Sequence, residues 1–285
     1  ASWKAIQEKT GVDIEWLLPP AGQEKEQFNL MIASQQLPDV IYWDWTGVSG
    51  GPARMLQDNV IIRLNEIYET SAPNYKKVLD SNDNIRRQVM MDDGTQYMFA
   101  RLFPNPESMS YAGFQVRKDW LDKLNLEVPT TIDEWYNVLT AFKNNIKSED
   151  GEEIIPFLSV KNGFSAFSTA WGIRTGFYPD PKTGKIKYGF IEPEFKDFVT
   201  TMHKWYNEGL IDPEFASVDS KSFEAKVTSG IGGAYYGNIS ANMGRFLSLM
   251  KDVDPEFNIV GVPWPIGPAG EPYSSQDPLE IGRAH

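Results

Sequence analysis

The chain has 285 residues, enough for two domains of ordinary size, and its 41% hydrophobic and 23% charged content is that of a globular protein rather than a disordered one. Lys and Arg number 27 against 39 Asp and Glu, and the net charge of -12 repels a nucleic-acid backbone or an anionic membrane surface. The absence of cysteine removes disulfides, thiolate metal sites and a cysteine nucleophile, and no run of about 18 apolar residues offers a membrane-spanning helix.

Residues 1–9 (ASWKAIQEK) read as a helix already under way with no cap ahead of it, ended by Gly11. At the other end Pro278-Leu279-Glu280-Ile281-Gly282 reads as a strand barely begun, so the sequence is expected to be a fragment lacking both ends. Val12 to Leu17 alternate apolar and polar as a half-buried strand does. Glu24 to Ser34 place Phe28, Met31 and Ile32 on one helical face, and Leu37-Pro38-Asp39-Val40-Ile41-Tyr42-Trp43 supplies a short apolar strand. That β-α-β order predicts a parallel sheet with a right-handed crossover. Asn65 to Asp80 and Asn82 to Met91 read as short helices, and an Asp93-Gly94 turn leads to a strand over Gln96 to Leu102.

Phe103-Pro104-Asn105-Pro106-Glu107-Ser108 has the composition of an inter-domain connector, which puts a boundary near residue 110. Beyond it Tyr111 to Val116 read as a strand feeding a helix over Lys118 to Leu124, and Thr131-Ile132-Asp133-Glu134 is a capping box that opens a helix through Asn145. The spacing predicts another helix over Glu194 to Glu208: Phe195, Phe198, Val199, Met202, Trp205 and Tyr206 form one stripe between Pro193 and Gly209. Asp180 to Gly184 make a tight turn, Ile231 to Tyr236 a strand, Ile239 to Lys251 a helix and Asn258 to Trp264 a strand.

Histidine occurs only at 203 and 285, so there is no zinc cluster, and His203 reads as a flank residue of its helix. Gly47-Val48-Ser49-Gly50-Gly51 matches the G-x-S-x-G elbow of serine hydrolases, but five residues separate Ser49 from Trp43 and Pro52 follows the second glycine. Gly230-Ile231-Gly232-Gly233 precedes a strand instead of following one, which suits close backbone packing better than a dinucleotide loop. Acidic pairs compatible with glycoside hydrolysis exist in any chain with 39 carboxylates and carry no signal by themselves.

Aromatic content stands out, with 9 Trp, 12 Tyr and 16 Phe, many of them in expected loops. A pyranose presents flat C–H faces and a rim of hydroxyls, so a sugar site needs aromatic planes beside charged or amide groups. Trp43-Asp44-Trp45, Trp171 with Arg174, and Tyr235-Tyr236-Gly237-Asn238 each offer that pairing, the first at the carboxyl end of an expected parallel strand.

Five segments in order carry a family resemblance: residues 3–11 (WKAIQEKTG), 33–40 (ASQQLPDV), 117–124 (RKDWLDKL), 128–135 (VPTTIDEW) and 208–215 (EGLIDPEF). With them the chain resembles extracellular solute-binding proteins of ABC importers, most of all the lipoprotein type of Gram-positive bacteria. The resemblance implies a type II periplasmic-binding-protein-like α/β fold. Its first lobe would span 1–110, rejoined by the chain at about 276–285 and incomplete here, and its second lobe 111–275. It also implies a solute, usually an oligosaccharide, held in a cleft and delivered to membrane permease subunits, with no catalysis and no cofactor. Such a protein is extracellular, a cell-surface lipoprotein whose lipid-bearing residue precedes this sequence. Carried over by position, Trp43, Asp44, Trp45, Arg101, Trp171, Arg174, Tyr235, Tyr236, Asn238 and Trp264 are the expected ligand-binding residues. Some relatives hold calcium in a longer acidic loop, but Ser148 to Glu153 is too short for the full set of oxygen ligands, so no metal is expected. A glycoside hydrolase with an aromatic cleft and a solute-binding sensor remain the alternatives.

Overall fold

The computed structural model describes residues 2–20, 23–102, 112–148, 151–160 and 163–272. The chain divides into two units, Ala1–Pro104 with Leu279–His285 and Asn105–Pro278. The connector at 103–108, the boundary near residue 110, Glu149 and Asp150 of the acidic loop, and the segment 276–285 lie outside the described residues.

The first unit carries helices α1 (Ser2–Thr10), α2 (Glu24–Ser34), α3 (Gly51–Gln57), α4 (Asn65–Ser71), α5 (Pro73–Asp80) and α6 (Asp83–Val89). Pro73 splits the single helix expected over 65–80, because a residue ahead of proline is pushed out of the helical region; Ala72 stands at φ -129°. One apolar cluster joins Phe28, Met55 and Val60 to Trp45 and Tyr97, and another joins Tyr68, Leu79 and Val89 to Ala100. The parallel sheet expected here is not formed among the described residues. Segments 12–17, 40–43 and 96–102 run as extended or irregular chain, with Met90 and Gln96 in an isolated antiparallel bridge. An extended segment becomes a strand only when a neighbour supplies ladder hydrogen bonds, and Val12, Leu17 and Val40 are instead exposed.

The second unit holds β1 (Ala112–Arg117), β2 (Ile155–Leu158), β3 (Phe177–Pro179), β4 (Ile186–Tyr188), β5 (Gly232–Asn238) and β6 (Ile259–Val262). Four of these form a sheet in the order β2-β5-β1-β6, while β3 and β4 make the hairpin expected around Asp180 to Gly184. β2 runs parallel to β5, and β1 runs antiparallel to both β5 and β6. Three strands therefore point one way, and their carboxyl ends share one end of the sheet.

Helices α7 (Lys118–Lys123), α8 (Ile132–Asn145), α9 (Glu194–Asn207), α10 (Ser220–Thr228) and α11 (Arg245–Met250) complete the unit. Strand alternation sends Phe114, Val116, Phe157 and Ala234 into one core with Trp135, Leu139 and Phe142 of α8 and Phe198, Met202 and Trp205 of α9. It sends Leu158, Tyr235 and Ile259 into a second core with Phe223 and Val227 of α10 and Phe246 and Met250 of α11. The sheet is thus covered on both faces, an α/β/α layering.

The local signals of this unit are realised in detail. Thr131 Oγ1 accepts from the Glu134 N–H at 3.1 Å, and Glu134 Oε2 accepts from the Thr131 N–H at 3.1 Å and the Thr130 N–H at 2.7 Å, closing the capping box. Gly209 stops α9 at φ +67° with its N–H on the Tyr206 carbonyl. Gly233 is required by closeness: a Cβ there would stand 2.8 Å from the Pro156 carbonyl oxygen and 2.9 Å from the rings of Trp120 and Phe142. After α9 the chain pairs beside β2 through Phe157 and Ile211, which buries Asp212 completely. Lys226 Nζ meets both Asp212 oxygens at 3.0 and 3.1 Å and Glu214 at 2.7 Å. Burial pulls the Lys226 ammonium down, but hydrogen bonds to Glu214 and Asp212 outweigh it and hold the group above the ordinary lysine value.

Candidate functional site

In the first unit a groove of about 780 Å³ is lined by Tyr42, Trp43, Trp45, Tyr97 and Phe99, with Asp39, Asp44, Asn59 and Gln88 among the polar groups. The ring of Trp43 lies on that of Phe28, centroids 4.1 Å apart and planes within 3°. Phe28 comes from α2, so the helix fixes the indole plane from behind while Trp43 lines the groove. Trp45 is mostly buried, its edge against Phe28 at 5.9 Å. Asp44 Oδ1 accepts from the Thr46 N–H at 3.0 Å, the Gly47 N–H at 3.3 Å and the Thr46 hydroxyl at 2.6 Å, capping the short 3-10 turn Trp45–Gly47. The two tryptophans are thereby held on either side of a locked carboxylate. Burial first, and the Asp44 charge second, push the Tyr97 phenol above its ordinary value.

In the second unit the carboxyl ends of β2, β5 and β6 carry Ser159, Tyr236 to Asn238 and Trp264. Ligands of open α/β sheets bind beyond such ends, because loops converge there. Tyr236 and Trp264 are half-buried, 5.8 Å apart, and each meets Phe114 edge-on at 5.5 Å. The Gln115 amide donates to the Gly237 carbonyl at 2.8 Å, and the Asn238 N–H donates to Asn242 Oδ1 at 2.8 Å, which fixes the strand end.

The expected site residues thus separate into groups. Trp43, Asp44 and Trp45 come together on the first unit, and Tyr236, Asn238 and Trp264 on the second. Tyr235 is corrected: adjacent strand residues face opposite ways, and it is 1% exposed between Phe223 and Phe246 in the core behind the sheet. Trp171 is corrected likewise, packed on Phe198 at 5.5 Å inside the unit and 5% exposed. Arg101 and Arg174 are exposed, and neither lines the groove of about 780 Å³ on the first unit or the groove of about 740 Å³ along α9. Tyr42, Tyr97 and Phe99 were not expected in the site. Alternation does not single out Tyr97 and Phe99, because Tyr97, Met98, Phe99 and Ala100 all line the groove.

The hydrolase alternatives find little to build on. Ser49 is exposed in the turn into α3, where Gly50 takes φ +81° as the cap, and no strand leads into it among the described residues. His203 is on α9 of the other unit, with Asn207 Nδ2 3.3 Å from Nε2. A second groove, of about 740 Å³, runs along α9 between Phe190, Phe195, Tyr206 and Phe215. It takes up Val199 and Tyr206, the edge of the α9 stripe that the core leaves exposed, and none of the expected site residues.

The bacterial extracellular solute-binding protein family matches residues 1–283. The chain belongs to this family. Over 246 residues it is 32% identical to the fructooligosaccharide ABC transporter substrate-binding protein FusA of Streptococcus pneumoniae, covering 81% of this chain and 45% of that protein. It is 29% identical over 234 residues to the polygalacturonan/rhamnogalacturonan-binding protein YtcQ of Bacillus subtilis, covering 81% and 44%. The chain therefore spans about half the length of these curated relatives. Among solved structures, FusA in complex with kestose superposes with a TM-score of 0.73 at 25% identity, over 99% of this chain and 57% of that one. An alginate-binding protein without calcium ion superposes with a TM-score of 0.72 at 27% identity, over 95% and 56%. The fold of this solute-binding chain is the type II periplasmic-binding-protein-like α/β fold that its sequence led one to expect.

Proposed function

We propose that this solute-binding chain forms the ligand-binding part of the substrate-binding subunit of an ABC importer, that its solute is an oligosaccharide, and that it releases the sugar unchanged to membrane permease subunits. The match to the solute-binding family along residues 1–283 carries the reading, and the aromatic surfaces indicate the class of solute. Trp43, backed by Phe28, gives a preset plane for a sugar face, and Asp39, Asp44, Asn59 and Gln88 give acceptors and amides for its hydroxyls. Tyr236 and Trp264, with Asn238 beside them, give a second such surface on the other unit. FusA and YtcQ, named for a fructooligosaccharide and for pectic polysaccharides, support a carbohydrate over a peptide.

In this reading the two units act as the two lobes of the binding protein, divided near residue 110. Solute favours the conformation of the protein for which it has the higher affinity. The protein works outside the cytoplasmic membrane, held at the surface by a lipid anchor, as the name of the 24% identical lipoprotein LipO of Bacillus subtilis also suggests. No nucleophile and base act on the sugar. The test is a thermal-shift and calorimetric screen with kestose, maltotriose and xylotriose, each sugar recovered and analysed by chromatography afterwards. Saturable binding with intact sugar supports the reading. Products of cleavage that vanish on mutating a carboxylate would replace it with a glycosidase.

A further inference from the structure

We propose that the sugar site is selective for neutral oligosaccharides and rejects uronates, an inference that rests on the carbohydrate-binding reading above. Among the described residues lining the first unit's groove none is lysine or arginine, whereas Asp39 and Asp44 both line it. Arg63, Arg87 and Arg101 adjoin lining residues in sequence, yet none of them is among the lining residues. The rest of the wall is aromatic and aliphatic, including Tyr42, Trp43, Trp45, Tyr97 and Phe99. Aromatic faces carry the negative side of the ring quadrupole, so they add no attraction for an anion.

A uronic acid oligomer brings a carboxylate on every residue. Moving one into this groove strips its hydration, with no lysine or arginine among the described lining residues to replace it, and sets it against the Asp39 carboxylate. A neutral sugar meets the same groups favourably: its hydroxyls donate to Asp39 and Asp44, and charge-assisted bonds of this kind are the stronger ones. On the second unit the half-buried residues at the strand ends are Tyr236, Asn238 and Trp264, and none of the three is cationic.

The experiment is a pair of calorimetric titrations of the intact protein at equal chain length: kestose, maltotriose and xylotriose against trigalacturonate and an alginate trisaccharide. The expected result is that at least one neutral trisaccharide binds tenfold or more tighter, about 1.4 kcal/mol, than either uronate. A reversed-charge variant, Asp39→Lys, is expected to narrow that gap by raising trigalacturonate affinity. Uronate binding equal to or tighter than neutral binding overturns the selectivity and leaves sugar binding standing. Binding of neither class overturns the carbohydrate reading and the selectivity with it.

Discussion

Trp43 lies flat against Phe28, their ring planes within 3° of parallel, so the indole that faces the groove is oriented by a residue of α2 that does not line it. Two variants separate the roles. Trp43→Ala is expected to weaken oligosaccharide binding by about 1 to 3 kcal/mol, the range for truncating a well-packed aromatic contact. Phe28→Ala is expected to lower stability by about 3 kcal/mol or more, because Phe28 is 7% exposed at the centre of its cluster, and to affect affinity only through the misplaced indole. Urea unfolding and calorimetry on both proteins check the division.

Tyr235 and Tyr236 are neighbours in sequence with opposite surroundings. The Tyr235 hydroxyl is buried with no hydrogen-bond partner among the described residues, and burial raises its pKa well above the ordinary tyrosine value. Tyr235→Phe is expected to leave sugar affinity unchanged and stability equal or up to about 1 kcal/mol higher, since it removes an unpaired polar atom. Tyr236→Ala is expected to weaken binding by about 1 to 3 kcal/mol. The same affinity loss in both variants would contradict the assignment of faces.

The buried pair of Asp212 and Lys226 ties the end of α9 to α10. Lys226→Met strands the Asp212 carboxylate at zero exposure, and the expected loss is about 3 to 5 kcal/mol. Replacing both partners, Asp212→Leu with Lys226→Met, is expected to lose clearly less than the sum of the single variants, which a double-mutant cycle in urea measures.

The capping box of α8 gives a pH signature. The Thr130 N–H and hydroxyl, then the Thr131 N–H, hold the Glu134 carboxyl below its ordinary 4.5. A carboxyl depressed on folding contributes stability above its unfolded pKa, and that contribution is lost as pH falls through the folded value. Glu134→Gln is therefore expected to flatten the acid limb of stability against pH between about pH 6 and 3. Thr131→Ala is expected to cost about 1 kcal/mol at neutral pH, read from the shift of the urea midpoint.

Much of the second unit is legible in the sequence because its signals are local: the Thr131 box, the α9 stripe ended by Gly209, and the Asp180 to Gly184 turn each specify their element within a few residues. The first unit is less legible. Val12 to Leu17 and Val40 to Trp43 have strand patterns, but strand formation depends on a partner that the pattern does not name. In the site, Trp43 to Trp45 is readable as an aromatic-carboxylate cluster, while the choice between Tyr235 and Tyr236 is not, since two adjacent aromatics look alike until register assigns their faces. Trp171 was readable: Phe164, Phe167 and Trp171 keep the spacing of a core-facing helical stretch.

The central claim is that a neutral oligosaccharide rests on the paired aromatics of this solute-binding chain and leaves intact, and tryptophan emission during titration with kestose, maltotriose and xylotriose tests it directly. The account predicts a saturable change with at least one of them, reduced in Trp43→Phe and in Trp264→Phe, with the sugar recovered unaltered. A flat titration with all three, confirmed by the absence of calorimetric heat, would contradict it.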